Sequence, residues 1–522
     1  MSFESSPPAR PAQAVPHPGA APMLQGSALV AAGLVLAIAN FLVVLDTTIA
    51  NVSVANIAGA LAVSPSQGTW VITSYSVAEA ITVPLTGWLA GRFGSVKVFV
   101  ASMLGFGLFS FLCGTATSLP MLVMFRVLQG LCGGPLIPLS QTLLLRVFPP
   151  RLAPAATGIW AMTTLVAPIL GPIMGGFLCD NVGWSFIFWI NVPIALLCGW
   201  AAWRLLGKFD ATTARQRVDV VGLGLLVIWV GALQVLLDLG KDADWFASPL
   251  IVTLAVVAAI GFVVFLIWEL TETHPIVDLR VFRHRGYAAS VLTLCVGFGS
   301  FFAANVLLPL WLQQYMGYTA SWAGYVSALL GITAVICAPF VANMSGKVDA
   351  RLLVSLGLGW MALITFFRGQ ADTDLNYFGI GHWLLLQGFG MPLFFVPLTT
   401  LALASVQPAE TASAAGLMSF CRTLSGAFAT SIVQTVWENG ATHFRADLVG
   451  SVSGTDTLAA LDTAGLNAQA ALGSIDRLVQ NQSVMLSTNA VFLGVALLFA
   501  LSAAIVWLVP KPTRKVDASQ AH

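Results

Sequence analysis

Residues 248–268 read SPLIVTLAVVAAIGFVVFLIW, twenty-one positions without a charge. A helix rising about 1.5 Å per residue needs about 20 residues to cross the hydrocarbon of a bilayer. This stretch therefore predicts a membrane-spanning helix. Working outward from it, similar runs recur at 28–50, 68–90, 96–116, 120–145, 155–178, 184–206, 218–238, 287–312, 320–343, 351–368, 381–404, 411–433 and 489–509. With 248–269 they make fourteen expected spans, so the fold class is an all-α polytopic membrane protein.

Composition agrees. Over 522 residues the apolar fraction is 57% and the charged fraction 9%, against about 45–50% and about 25% in soluble domains. Such a chain cannot cover itself with polar surface, which excludes a soluble enzyme, a disordered protein and a nucleic-acid binder. The seven cysteines are scattered without a CxxC and read as packing residues. No GxxxxGK[ST] run, HExxH or His/Cys cluster occurs, so neither nucleotide hydrolysis nor a metal or cofactor is expected.

Basic residues set the sides. With the N-terminus inside, inside segments hold 17 of the 23 Lys and Arg. Lys241, Arg368, Arg445 and Arg477 fall outside, and Arg126 and Arg422 fall within spans. The excess puts both termini in the cytoplasm and supports an even span count. The expected organisation is a cytoplasmic tail at 1–27, a six-helix bundle at 28–206 and two extra helices with flanking cytoplasmic loops at 207–286. A second six-helix bundle follows at 287–509, with a polar outside loop at 434–488, and a cytoplasmic tail closes the chain at 510–522.

A charge at the bilayer centre costs about 2.5–3.5 kcal/mol or more. Asp46, Glu79, Arg126 and Arg422 all fall within spans, so each must be paired or wet. The plain reading is a set of ion pairs that fix packing; the functional one is proton and substrate handling. Asp46 and Asn51 lie near the outer end of span one, within expected reach of outside water. Glu79 shares a helical stripe with Tyr75, Ser76 and Thr82, which is expected to face a cavity. Its carboxylate suits a proton carrier or a contact for a cationic substrate. In span four Arg126, Gln129, Gly130 and Gly133 share a face. A permanent cation beside glycines suggests a fixed counter-charge for a nearby acid. Span five packs Pro168, Gly171, Pro172, Gly175 and Gly176 into nine residues, a close-packing face or a bend. Gln141 and Arg422, the latter beside Ser419, Ser425 and Gly426, are further cavity candidates.

These motifs resemble the major facilitator superfamily, in particular its fourteen-span drug:proton antiporter branch (EmrB/QacA-like). The resemblance rests on Gly87-Trp88-Leu89-Ala90-Gly91-Arg92-Phe93-Gly94 between spans two and three and on Arg126-Val127-Leu128-Gln129-Gly130 in span four. It also rests on Gly171-Pro172-Ile173-Met174-Gly175-Gly176 in span five and Leu45-Asp46-Thr47-Thr48-Ile49-Ala50-Asn51-Val52 in span one. The loop motif departs from the family at Gly91, where an acid is usual. The resemblance implies two six-helix bundles plus two inserted helices, alternating access, and export of hydrophobic small molecules in exchange for protons across a bacterial inner membrane. Asp46, Glu79 and Arg126 would couple protons. The implied partners are membrane lipid, a periplasmic adaptor (EmrA-like) and an outer-membrane channel (TolC-like). Export of one metabolite, fatty acid or siderophore is the alternative, and a non-transporting membrane sensor or assembly subunit a distant one.

Overall fold

The computed structural model describes residues 24–149, 152–210, 219–241, 243–273, 275–318, 320–345, 347–372, 377–407, 410–452 and 468–510. Among them the chain runs as fourteen helical rods. The first six are α1 (Ser27–Ala60), α2 (Trp70–Thr82 continuing as Thr86–Phe93), α3 (Ser95–Gly114), α4 (Leu119–Gly133 and Leu136–Val147), α5 (Ala153–Asn181) and α6 (Phe186–Trp189 and Asn191–Leu206). The hairpin α7 (Val220–Leu239) and α8 (Pro249–Thr271) follows. The last six are α9 (Arg285–Gln314), α10 (Ala320–Ser345), α11 (Ala350–Arg368), α12 (Tyr377–Gly388 and Gly390–Ala404), α13 (Thr411–Val452) and α14 (Ala468–Ile505). The break in α2 falls at Pro84 and that in α4 at Pro135, each proline lacking the N–H that would continue the ladder.

Ten of the rods are long and apolar enough to cross a membrane over their described residues; α2, α5, α10 and α13 fall short of that measure. On α8, Val256, Ile260, Val263 and Ile267 recur every three or four residues and are at least half exposed. In an apolar helix that stripe is a lipid-facing surface.

Two six-helix groups, α1–α6 and α9–α14, meet along α5 with α10 and along α13 with α4. The inserted helix α7 packs on α8 and bridges the seam, against α2 of the first group and α13 of the second. At the end of the molecule holding residues 87–94, 283–286 and 410–413, the groups are in direct contact. A Cβ on Gly87 of α2 would overlap Ser413 of α13, and one on Gly416 would lie 3.1 Å from the Val83 carbonyl. There Glu410 accepts from Arg283 (2.6 Å) and meets His284 Nε2 (2.9 Å).

Two expectations change. Outside 453–467, the stretch 434–488 is not a loop but the extension of α13 and α14. Polar residues suit a helix that leaves the bilayer, and Arg445 ties the two rods by bonding Asp476 (2.5 Å) and Gln480 (3.3 Å). Arg368, expected outside, is only 5% exposed. It donates to Gln387 Oε1 of α12 at 2.5 Å and stacks 4.4 Å from the Phe492 ring of α14. The expected tails at 1–27 and 510–522 lie almost wholly outside the described residues, as does most of the basic loop after α6.

Candidate functional site

Asp46 of α1 sits where five helices converge. Arg126 Nη1 of α4 donates to its Oδ2 at 2.6 Å. Its Oδ1 accepts from Gln129 Nε2 at 3.0 Å and from Asn191 Nδ2 of α6 at 2.7 Å. The network continues outward. Arg126 Nε donates to the Val71 carbonyl of α2 (3.0 Å), and Gln129 Nε2 donates to Ser110 Oγ of α3 (2.7 Å). The guanidinium lies over the Tyr75 ring at 4.2 Å, a cation–π contact that desolvation strengthens. Arg126 is wholly buried and Asp46 2% exposed. So the fixed counter-charge expected of Arg126 serves Asp46. Asp46 itself is sealed from water, contrary to expectation, because its neighbours satisfy both its oxygens.

Gly171 and Gly175 seat α5 on the same stretch of α1. A Cβ at Gly171 would overlap Thr48, and one at Gly175 would stand 3.2 Å from the Ile49 carbonyl. Thr48 Oγ1 reaches the Ala167 carbonyl at 3.3 Å. Gly176 has open space around its Cβ position. The side chains of Pro168, Pro172 and Asn51 lie outside the described set.

A separate cavity of about 360 Å³ opens between the two groups. Thr47 and Thr48 of α1, Ser76 and Glu79 of α2, Phe298, Phe301 and Phe302 of α9 and Arg422 of α13 line it. Glu79 is 7% and Arg422 6% exposed. Their opposite charges attract across the cavity, and neither makes a hydrogen bond or an ion pair within 4 Å to the described residues. Arg422 lies 5.5 Å from the Phe298 ring.

Of the residues expected at a cavity, Ser76, Glu79 and Arg422 line this one. Four others do not. Tyr75 is buried against Arg126, its hydroxyl beside Gly133. Thr82 turns back to the Ala78 carbonyl at 2.6 Å. Gln129 belongs to the Asp46 network. Gln141, 1% exposed, lies outside the cavity wall with neither amide atom bonded.

Sequence reading missed Asn191 and Ser110 in the network, and Gln234 and Asp238 of α7 in the cavity wall. A polar residue ahead of Pro193 in an apolar run was a usable signal for Asn191. Asp238 closes its expected span at 218–238, where an acid ordinarily meets the membrane interface and gives no signal of a cavity. Glu269, inside an expected span too, is fully buried and accepts from the Val277 N–H at 3.2 Å.

The sequence profile of the Major Facilitator Superfamily matches residues 36–430. The chain belongs to that superfamily. It is therefore a multi-pass membrane transporter and not an enzyme. It is 43% identical over 495 residues to the multidrug export protein EmrB of Escherichia coli strain K12, covering 94% of this chain and 97% of that relative. It is 42% identical over 496 residues to the fatty acid resistance protein FarB of Neisseria gonorrhoeae, covering 94% and 98%. The crystal structure of the human organic anion transporter MFSD10 (TETRAN) superposes with a TM-score of 0.59 at 14% identity, covering 92% of this chain and all of that one; that likeness is one of fold. That superposition agrees with the fold described above.

Proposed function

We propose that this transporter is a proton-driven antiporter that exports hydrophobic compounds across a bacterial inner membrane, with both termini cytoplasmic. The carrying observation is a buried Asp46–Arg126 pair beside, but not within, a cavity walled by both halves. A proton on Asp46 would remove the charge that holds Arg126. The unpaired guanidinium would then favour a different arrangement of α1 and α4. Because Gly171 and Gly175 lock α5 to the same turn of α1, that rearrangement reaches the seam where α5 meets α10. Glu79 is the acid that substrate and proton would both contact. One proton moving down a 100 mV potential supplies about 2.3 kcal/mol, enough to drive accumulation.

In this reading the closed end, with Gly87 against Ser413, faces the cytoplasm. The extended α13–α14 pair projects into the periplasm, where an adaptor leading to an outer-membrane channel would dock. The high identity to a fatty acid resistance protein favours a second reading, export of fatty acids, with Arg422 holding the carboxylate and the three phenylalanines the chain.

The test uses purified protein in liposomes with an imposed pH gradient. Lumenal pH is followed while compounds are added, for wild type, Asp46→Asn and Glu79→Gln. Substrate-dependent proton flux that disappears in a variant supports antiport and names the coupling acid. Undiminished flux in both variants would sink the mechanism. Flux with laurate alone would select the fatty-acid reading.

A further inference from the structure

The charged side chains lining the cavity are three among the described residues: Glu79, Arg422 and Asp238. Glu79 and Arg422 oppose each other and cancel. Asp238 is left over. It comes from the inserted helix α7, at the end where Thr69 and Gln434 also line the cavity. The residue is exposed at the cavity wall, where its carboxylate accepts a hydrogen bond from Thr73 of α2. Gln234, one turn earlier, donates to Asp238 Oδ1 at a long 3.3 Å. The nearest cation along the helix, Lys241, is engaged on Glu438 at 2.6 Å and does not neutralise it.

α7 is also held in place. Ser431 donates to the Leu237 carbonyl at 2.8 Å, and Trp245 Nε1 donates to Thr435 Oγ1 at 3.0 Å. Both partners are on α13. The carboxylate is thus presented at a fixed point of the wall, with Phe301 and Phe302 lining the same space. Glu79, more than nine-tenths buried and without a hydrogen bond among the described residues, brings a second carboxylate to the wall of the same cavity.

Resting on the reading of this cavity as the substrate site, we infer that Asp238 is a specificity-determining residue that selects amphipathic organic cations. The cationic group sits by Asp238 and the apolar body lies on the phenylalanine wall. Two acids against one arginine favour a cation over an anion of the same shape. A cation near a carboxylate also competes with protons for acid sites, as exchange requires. An anion on Arg422 would instead be helped by protonation of Glu79, which couples the two in the same direction.

The test is equilibrium binding to the purified full chain, with two ions of matched shape and opposite charge, tetraphenylphosphonium and tetraphenylborate. Wild type is expected to bind the phosphonium more tightly. Asp238→Asn should weaken the phosphonium by about tenfold, the loss of one close charge contact in a partly wet site. It should leave the borate unchanged or tighter, and Asp238→Glu should keep the preference for the cation. Equal shifts for both ions, no shift, or absent phosphonium binding in wild type would each overturn the inference. Proton flux in liposomes with an uncharged compound separates the two ideas. Flux without charge-selective binding leaves antiport standing and removes the role of Asp238; selective binding without flux does the reverse.

Discussion

Asp46 and Thr47, neighbours in α1, face different compartments: the carboxylate of Asp46 closes on Arg126 inside the first six helices, while Thr47 lines the central cavity. One residue of helix separates the buried charge pair from the space between the halves. A small rotation of α1 therefore changes both at once.

Removing one member of a buried ion pair strands the other, at a cost of about 3–5 kcal/mol. Arg126→Leu is expected to lower the thermal midpoint in detergent sharply and to abolish transport. The double variant Asp46→Asn/Arg126→Leu should recover much of the midpoint but none of the transport. Recovered transport in the double variant would reduce the pair to a packing device.

The contact of α5 with α1 gives a sharper steric test. Gly171→Val forces atoms into Thr48, and overpacking of this kind costs about 1–3 kcal/mol. Transport should fall strongly while membrane insertion stays normal. Gly176→Ala meets open space and should leave transport intact. Wild-type flux in Gly171→Val would dismiss the contact as unnecessary.

Closure near Glu410 is testable by cross-linking. A Cβ at Gly87 would lie 3.1 Å from that of Ser413, and a disulfide needs about 3.5–4.5 Å, a shift of a few tenths of an ångström. In a background free of the seven native cysteines, Gly87→Cys with Ser413→Cys should cross-link under copper phenanthroline. Transport should stop and return with dithiothreitol. A cross-linked protein that still transports would mean that these helix ends need not separate.

Glu410 offers a pH test outside the membrane. Partial burial alone would raise its carboxyl, but the hydrogen bonds from His284 and the Gln407 N–H, together with Arg283, outweigh it. They hold the group below its ordinary value of 4.5. A lowered carboxyl stabilises the fold fully above that ordinary value and loses the effect as pH falls through the lower folded value. Arg283 is 55% exposed, so the contribution is about 1 kcal/mol or less. The difference in thermal midpoint between wild type and Glu410→Gln should shrink as pH falls below 4.5. A difference undiminished below that value would contradict the assignment.

Much of the fold was legible because a bilayer imposes length and hydropathy on every crossing helix. Asp46 and Arg126 were legible for the same reason: a charge in a span needs an account. Which acid meets Arg126 depends on how five helices are rotated, and linear spacing does not carry that. Tyr75 misled because it lies one turn from Glu79, yet its long ring reaches sideways to Arg126. Arg368 misled because it ends an apolar run, a position that usually meets water. Here Gln387 and the Phe492 ring take its place. The stretch 434–488 misled because low hydropathy signals departure from the membrane and says nothing about whether the helix ends there.

The length of α13 has a mechanical meaning. Thirty residues separate Arg422 at the cavity from Val452, a rod of ~45 Å at ~1.5 Å per residue. Each degree of tilt about the level of Arg422 then swings the rod's end by ~0.8 Å. The helix works as a lever, turning slight rocking in the bilayer into displacement large enough to be felt by whatever rests on its tip.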